Sequence, residues 1–325
     1  MIWPFSRRSR DDSTKPKLDG SVQLQFTGRM VRIPEREFFG AFSKSPNGEY
    51  LLAWRDADPV GKRGGRRESG EGDYLLVQEN RIVADGRMER PNDGQVSNAG
   101  TFILSDWRFG DALRSTFYAF GRDGTCLLSH EFGANALNSS ISNDGMFAVF
   151  MTAGGAGPDA SKLILFDIQD GEALWSKWPE TGRPDRYEFD PSEALLWLIY
   201  EDKGRYAFSM MDGDFLDRER WEVERIEWAH PYELSRIGQE RLKQAGDNLD
   251  LQSGAEIAFI LNKAISTGID QSPSEHAKVL KTLGDLWERL GDEREALNCL
   301  QQADAVYLTA GVKRRIQKLR KRLKL

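Results

Sequence analysis

With 325 residues, 51 acidic and 45 basic side chains, the chain carries a net charge of −6 and is long enough for two domains. Charged residues make up 30% of it, and no run approaches the roughly 20 apolar residues of a membrane-spanning helix. Two cysteines far apart in sequence and three histidines argue against a disulfide framework and leave little for a zinc centre, so a reduced, cytoplasmic setting is expected.

Residues 1–20 pass from Met1-Ile2-Trp3-Pro4-Phe5 into a basic and then acidic polar stretch, which predicts a disordered leader without the apolar segment of an export signal. From Val22 the pattern becomes strand alternation: Val22, Leu24 and Phe26, a Thr27-Gly28 turn, then Met30, Val31 and Ile33, a hairpin signal. Next comes Phe42-Ser43-Lys44-Ser45-Pro46-Asn47-Gly48, ahead of an apolar run from Tyr50 to Trp54. The phrase returns as Val96-Ser97-Asn98-Ala99-Gly100 before Phe102, and as Ile141-Ser142-Asn143-Asp144-Gly145 before Phe147. A looser copy, Phe189-Asp190-Pro191-Ser192, precedes Leu195. A second class of turn alternates with the first, at Glu79-Asn80, Asp123-Gly124, Asp170-Gly171 and Asp212-Gly213. Gly, Asn and Asp tolerate the positive backbone angle that a tight reversal needs.

Gly48, Gly100 and Gly145 lie 52 and 45 residues apart, and Asn80, Gly124, Gly171 and Gly213 follow one another at 44, 47 and 42. That period, with four strands in each repeat, predicts a mainly β chain with α: a β-propeller of about four to five blades over residues 21–229. The hairpin at 22–33 is left over from the count. It is expected to join a strand at 223–228, completing a last blade and removing exposed sheet edges. After His230-Pro231 the apolar period changes from two to about 3.6, through Leu234, Ile237 and Leu242 and then Ile257, Ile260, Leu261 and Ala264. A small α-helical repeat domain is expected over residues 230–325.

Within that domain, Leu283, Gly284, Trp287, Ala296, Leu300 and Ala303 fall at spacings that make residues 277–308 resemble a tetratricopeptide repeat, in which small residues let two helices approach closely. The Ser-Pro-Asn-Gly and Asn-Asp-Gly turns of the first 230 residues resemble those of WD-type or bacterial propellers, although no blade has the Gly-His and Trp-Asp signature of the WD type. The resemblances imply the two folds and broad binding surfaces; no partner is carried over from either family.

Chemistry is sparse. No nucleophile elbow, HExxH, P-loop or paired-cysteine zinc spacing occurs, so no catalytic residue, metal ligand or cofactor is assigned. The glycine-rich stretches from Val60 to Gly72 and from Ala153 to Gly157 read as loops between strands. Two strand ends carry related triplets, Trp54-Arg55-Asp56 and Asp106-Trp107-Arg108, which equivalent strands of neighbouring blades are expected to bring to one rim, as a candidate binding surface or, for the two Trp, as packing between blades. Asp56, Asp58, Asp106, Asp111 and Asp202 also lie at or past strand ends. Converging on the channel they would suit a hydrolase or lyase, whereas their simpler role is to accept turn hydrogen bonds. From residue 313 onward, Lys313, Arg314, Arg315, Lys318, Arg320, Lys321, Arg322 and Lys324 occur without one acidic residue, around an apolar stripe of Val312, Ile316, Leu319 and Leu323. That pattern predicts a helix that caps the last repeat; the functional alternative is a basic surface for nucleic acid, acidic lipid or an acidic protein. The expected function is a non-enzymatic scaffold that binds protein partners through the propeller rim and the groove of the helical repeat, with the carboxylate enzyme and the nucleic-acid binder as the alternative classes.

Overall fold

The computed structural model describes residues 21–57, 65, 67–109 and 113–325. The expected leader, Asp58, Asp111 and part of the glycine-rich loop after Val60 lie outside the described residues. The chain divides into two compact units, one ending at Asp217 and one running from Arg218 to Leu325. The change of period at His230 therefore falls between two helices of the second unit.

Four antiparallel sheets follow one another in chain order in the first unit. The first contains β1 (Gln25–Thr27), β2 (Met30–Ile33), β3 (Phe38–Lys44), β4 (Tyr50–Arg55), β5 (Gly72–Gln78) and β6 (Arg81–Met88), paired in that order. β7 (Pro91–Val96), β8 (Phe102–Trp107), β9 (Ser115–Phe120) and β10 (Cys126–Phe132) make the second. The third is β11 (Ala136–Ile141), β12 (Phe147–Thr152), β13 (Leu163–Asp167) and β14 (Glu172–Lys177). The last has three strands, β15 (Arg186–Asp190), β16 (Leu195–Tyr200) and β17 (Gly204–Ser209). Its expected fourth strand is reduced to one bridge between Phe208 and Phe215, because the Asp217 carboxylate accepts the Ala207 amide at 2.8 Å and ends the ladder.

Side chains alternate across these strands and so assign the faces. Tyr50, Leu52, Tyr74 and Leu76 of the first sheet meet Phe102, Leu104 and Phe120 of the second. On the far side of the second sheet, Ile103 and Phe117 meet Ala148, Phe150 and Phe166 of the third. Aromatic rings fill both seams, with Phe102 stacked on Phe120 at 5.0 Å and Phe117 on Phe166 at 5.2 Å. Trp175 of the third sheet donates its indole N–H to the Met210 carbonyl beside the fourth, at 3.0 Å.

The hairpin β1–β2 does not close a ring. Residues 223–228, its expected partner, are helical, and the hairpin extends the first sheet beyond β3 instead. That sheet curls back on itself: the Val22 amide donates to the Asn80 carbonyl at 2.7 Å, and Ser21 bridges to Arg81 of β6. Val22, Val31 and Ile33 thereby cover Leu51, Ala53, Leu75, Val77 and Ile82, the face of the first sheet turned away from the second.

Each repeated phrase forms the turn between the first two full-length strands of its sheet, and the first three turns touch in succession. Asn47 donates its amide to the Asn98 side chain at 2.8 Å, and Asn98 donates its own amide to the Asn143 carbonyl at 2.9 Å. The copies differ in length. The Ser45 amide reaches the Tyr50 carbonyl and that of Ser142 reaches Phe147, five residues on, but that of Ser97 reaches Thr101, only four on. This one-residue deletion puts Asp106 in register with Arg55, so the two Trp-Arg-Asp triplets share an end of the sheets but not equivalent positions. In the fourth turn the left-handed conformation passes to Ala194, at φ 55°.

The second unit is helical throughout: α1 (Arg218–Trp228), α2 (Pro231–Ala245), α3 (Leu251–Ser266), α4 (Pro273–Arg289), α5 (Glu293–Val306) and α6 (Lys313–Leu323). α1 forms where a strand was expected because its charges pair at helical spacing, Arg225 with Glu222 at 2.7 Å and Arg220 with Glu224 at 3.8 Å. Arg225 also lies 4.4 Å from the ring of the buried Trp221. Caps set the following helices: the His230 imidazole accepts from the Tyr232 amide, and Asp250 with Ser253 forms a reciprocal capping box. Small residues set the helix spacing, since a Cβ added at Gly238 would lie 2.5 Å from Leu261, and one at Gly284 2.9 Å from Leu300. The residues that carried the repeat resemblance, Leu283, Gly284, Ala296, Leu300 and Ala303, are buried on α4 and α5.

Candidate functional site

Three places carry chemistry. The first is the rim at the ends of β4 and β8, where the predicted triplets meet two sets of ion pairs, Arg55 with Asp73 and a larger group around Asp56, Arg90 and Glu89. Arg55 grips Asp73 through two nitrogens at 2.5 and 2.9 Å and donates to the Glu37 carbonyl. Asp56 accepts from Arg67 at 2.6 Å and from Arg90 at 3.2 and 3.3 Å, and both arginine side chains are at least nine-tenths buried. Asp106 is buried and accepts the backbone amides of Arg90 and Glu89 at 2.7 and 3.3 Å. Burial pushes its carboxyl above the ordinary range, against those two hydrogen bonds. Arg108 bridges Glu89 and Glu131 at 3.0 and 2.8 Å. Trp54 packs into the seam between the first two sheets, and Trp107 packs against the next seam under Arg90.

These residues are thus spent on one another. The larger group ties the β6–β7 connection, Glu89 and Arg90, to the ends of β4 and β8, and so holds the first two sheets together. Asp56 and Asp106 are both committed to protein donors, and Asp202 is an exposed residue of the β16–β17 hairpin.

The second place is a cleft of about 610 Å³ framed by the first strand of every repeat, β3, β7, β11 and β15. Its mouth includes Pro46, Ser97, Asn143 and Pro191 of the repeated turns, and its walls include Trp54, Asp93, Gln95 and Tyr187. Side-chain bonds stitch these inner strands together. The Gln95 amide donates to the Ser139 carbonyl at 2.8 Å and accepts from the Ser140 hydroxyl at 3.1 Å. Ser139 donates to Asp93 at 2.7 Å, and the Tyr187 hydroxyl donates to Asn138 at 2.7 Å. Burial holds the Tyr187 phenol well above its ordinary pKa and pushes the Asp93 carboxyl up as well.

No family model and no curated protein matches the sequence. Among solved structures, the C-terminal WD40 domain of Sif2 is similar over 52% of this chain and 44% of its own, at 12% identity and a TM-score of 0.36. Hsv2 of Kluyveromyces marxianus is similar over 59% of this chain and 57% of its own, at 10% identity and a TM-score of 0.35. KlAtg21, solved in complex with the coiled coil of AgAtg16, is similar over 58% and 63%, at 10% identity and a TM-score of 0.39. The chain therefore spans about half the length of the structures it matches. The propeller-type reading stands on the four successive antiparallel sheets and their shared inner strands.

The third place is α6. Ile316 and Leu319 are buried, which leaves the opposite side to solvent. Arg315 pairs with Asp285 and, at 2.9 Å, with Glu288; Arg322 pairs with Glu288 at 2.6 Å and Glu293 at 3.0 Å. Hydrogen bonds from the two arginines hold the Glu288 carboxyl below its ordinary pKa. Lys313, Arg314, Lys318, Arg320, Lys321 and Lys324 are exposed and face outward.

Sequence reasoning found the rim and the basic helix but missed the inner strands. Asp93 is preceded by Pro91-Asn92 and followed by Gly94, which reads as one more turn; it is instead a bulge inside β7, with Asp93 at φ 42°. The available signal was spacing, because this Asx-Gly pair belongs to neither series of turns. Among the described residues no group of three His, Cys, Asp or Glu side chains is arranged to hold a metal ion, and no helix is long and apolar enough to cross a membrane.

Proposed function

We propose that the chain is a non-catalytic interaction scaffold: a propeller-type array of four sheets, joined to a helical-repeat unit whose last helix receives an acidic protein segment. The carrying observation is the division of charge on α6. Its two flanking arginines are neutralised by Asp285, Glu288 and Glu293, while six exposed cations share the solvent side with no acidic residue among them. Exposed like charges on one helix repel one another and are relieved by an anionic partner, which gains long-range steering from them. The rim supports the same reading from the other direction. Its carboxylates are held by arginines and backbone amides, in the manner of a brace rather than of an acid–base pair waiting for substrate.

The test is binding of a poly-glutamate peptide to the full chain, at low and physiological salt, against a Lys318→Glu/Lys321→Glu double variant. The wild type is expected to bind with a steep salt dependence, and the variant to bind at least ten-fold more weakly. Equal binding by both proteins would overturn the assignment of α6. Tighter binding of duplex DNA or anionic vesicles than of the peptide would overturn the choice of partner, and turnover of any substrate by the purified chain would overturn the scaffold itself.

A further inference from the structure

The cleft between the inner strands holds a carboxyl group, Asp93, without a cationic side chain paired to it. Four partly buried carboxylates elsewhere have arginines: Asp73 has Arg55, Asp56 has Arg67 and Arg90, Glu89 has Arg108, and Glu288 has Arg315 and Arg322, while the buried Asp106 accepts two backbone amides instead. Asp93 has Ser139, and among the described residues no lysine or arginine pairs with it. The Ser139 hydroxyl and backbone amide both donate to it, but neither neutral donor supplies the opposite charge that a carboxylate drawn out of water favours. The cleft's own lysine, Lys44, sits over the Phe26 ring, 4.6 Å from its centre. Asp93 is also held where few side chains stand. Its positive φ places it on a bulge of β7, and the bond to Ser139 of β11 fixes the carboxyl between two strands. Phe42, Trp54, Tyr187 and Phe189 supply aromatic surface around the same space. Aromatic faces attract cations, most strongly where water is excluded. A volume of about 610 Å³ is that of a small-ligand pocket, large enough for a side chain and part of the backbone that carries it.

We infer that the cleft is a second binding site, which takes the cationic side chain of a partner segment, an arginine guanidinium or lysine ammonium, paired with Asp93 between aromatic walls. The site is separate from α6 and opposite to it in sign, so the two would select different segments.

The probes are N-acetyl-arginine amide, N-acetyl-lysine amide and the neutral isostere N-acetyl-citrulline amide, titrated into the full chain by calorimetry and by heteronuclear NMR. At least one cationic probe is expected to bind ten-fold or more tightly than citrulline, with shifts centred on Asp93, Gln95 and Tyr187. Asp93→Asn should abolish that preference. Asn adopts a positive φ as readily as Asp, so the bulge is retained, and near-ultraviolet circular dichroism verifies the fold. Lys44→Met provides a variant expected to gain: with the competing cation gone, the cationic probe should bind two- to five-fold more tightly. Equal binding of citrulline and the cationic probes, an unchanged preference in Asp93→Asn, or weaker cation binding by Lys44→Met would each overturn the inference. The Lys318→Glu/Lys321→Glu variant should bind these probes as the wild type does, which separates failure of this site from failure of α6.

Discussion

Replacing Ala194 with glycine should stabilise the first unit, and the companion change at Gly100 should damage it. Ala194 holds φ 55°, a conformation that costs an L-residue about 1–2 kcal/mol. Glycine removes that cost but adds freedom to the unfolded chain, returning about 0.4–1 kcal/mol. The net gain is about 0.5–1 kcal/mol, or about 1–4 °C in Tm for a unit of this size. Gly48 gives the reverse experiment in isolation: φ is 76°, and a Cβ there would meet no heavy atom within 4 Å, so Gly48→Ala should lose about 0.5–1 kcal/mol from the backbone alone. At Gly100 the φ is 84° and the added Cβ would fall 2.8 Å from the Tyr50 ring of the preceding sheet. Overpacking adds about 1–3 kcal/mol, so Gly100→Ala should lose about 1.5–4 kcal/mol in all. Urea unfolding followed by tryptophan fluorescence, with the transitions of the two units fitted separately, measures all three. Destabilisation by Ala194→Gly would refute the strain argument. Equal losses at Gly48 and Gly100 would refute the contact between neighbouring turns.

Ile33→Ala removes a fully buried side chain of the hairpin over the first sheet and should cost about 2–5 kcal/mol by the same unfolding assay, with little change in the helical unit. Gly238→Ala should destabilise the helical unit even though alanine is the better helix former by about 1 kcal/mol, because its Cβ would lie 2.5 Å from Leu261; thermal denaturation at the helical signal gives the sign. The folded-state pKa of Glu288 is depressed by Arg315 and Arg322, so its contribution is present above the ordinary glutamate range and is lost as pH falls through the lowered value. Glu288→Gln should accordingly be less stable than wild type at neutral pH and converge with it in acid, read from Tm against pH.

The sequence made the array legible because turn residues are chosen by backbone angle, and a left-handed position announces itself as Gly or Asn whatever surrounds it. Gly48, Gly100, Gly145, Asn80, Gly124, Gly171 and Gly213 all have positive φ. Length within a turn is less visible: the missing residue after Gly100 shifts every following side chain of β8 to the other face, and only the backbone bond from Ser97 to Thr101 reveals it. Residues 223–228 suggest a strand only because the leftover hairpin needs a partner, and Val223 and Ile226 already stand three apart. The ion pairs that make them helical become evident only when residues three and four apart are considered together. The rim was visible in Trp54, Arg55, Asp106 and Arg108, but its purpose depended on Arg67, Glu89 and Arg90, which lie in connections and carry no pattern of their own. Asp93 was hidden for a related reason, since a bulge inside a strand uses the same residues as a turn between strands.

The hairpin folded over the first sheet has a consequence for assembly. A sheet stacked on a neighbour by one face and bare on the other presents an acceptor for the next copy of the same module, and such head-to-tail contacts between molecules need not close; unclosed, they grow as filaments. Val22, Val31 and Ile33 occupy that acceptor face from within the same chain. The array thus carries its own terminator at the amino end, in the way that end modules of solenoids stop growth with a dissimilar surface. Loss of the hairpin would therefore alter valency as well as stability: a shortened chain would gain a docking face for its own kind.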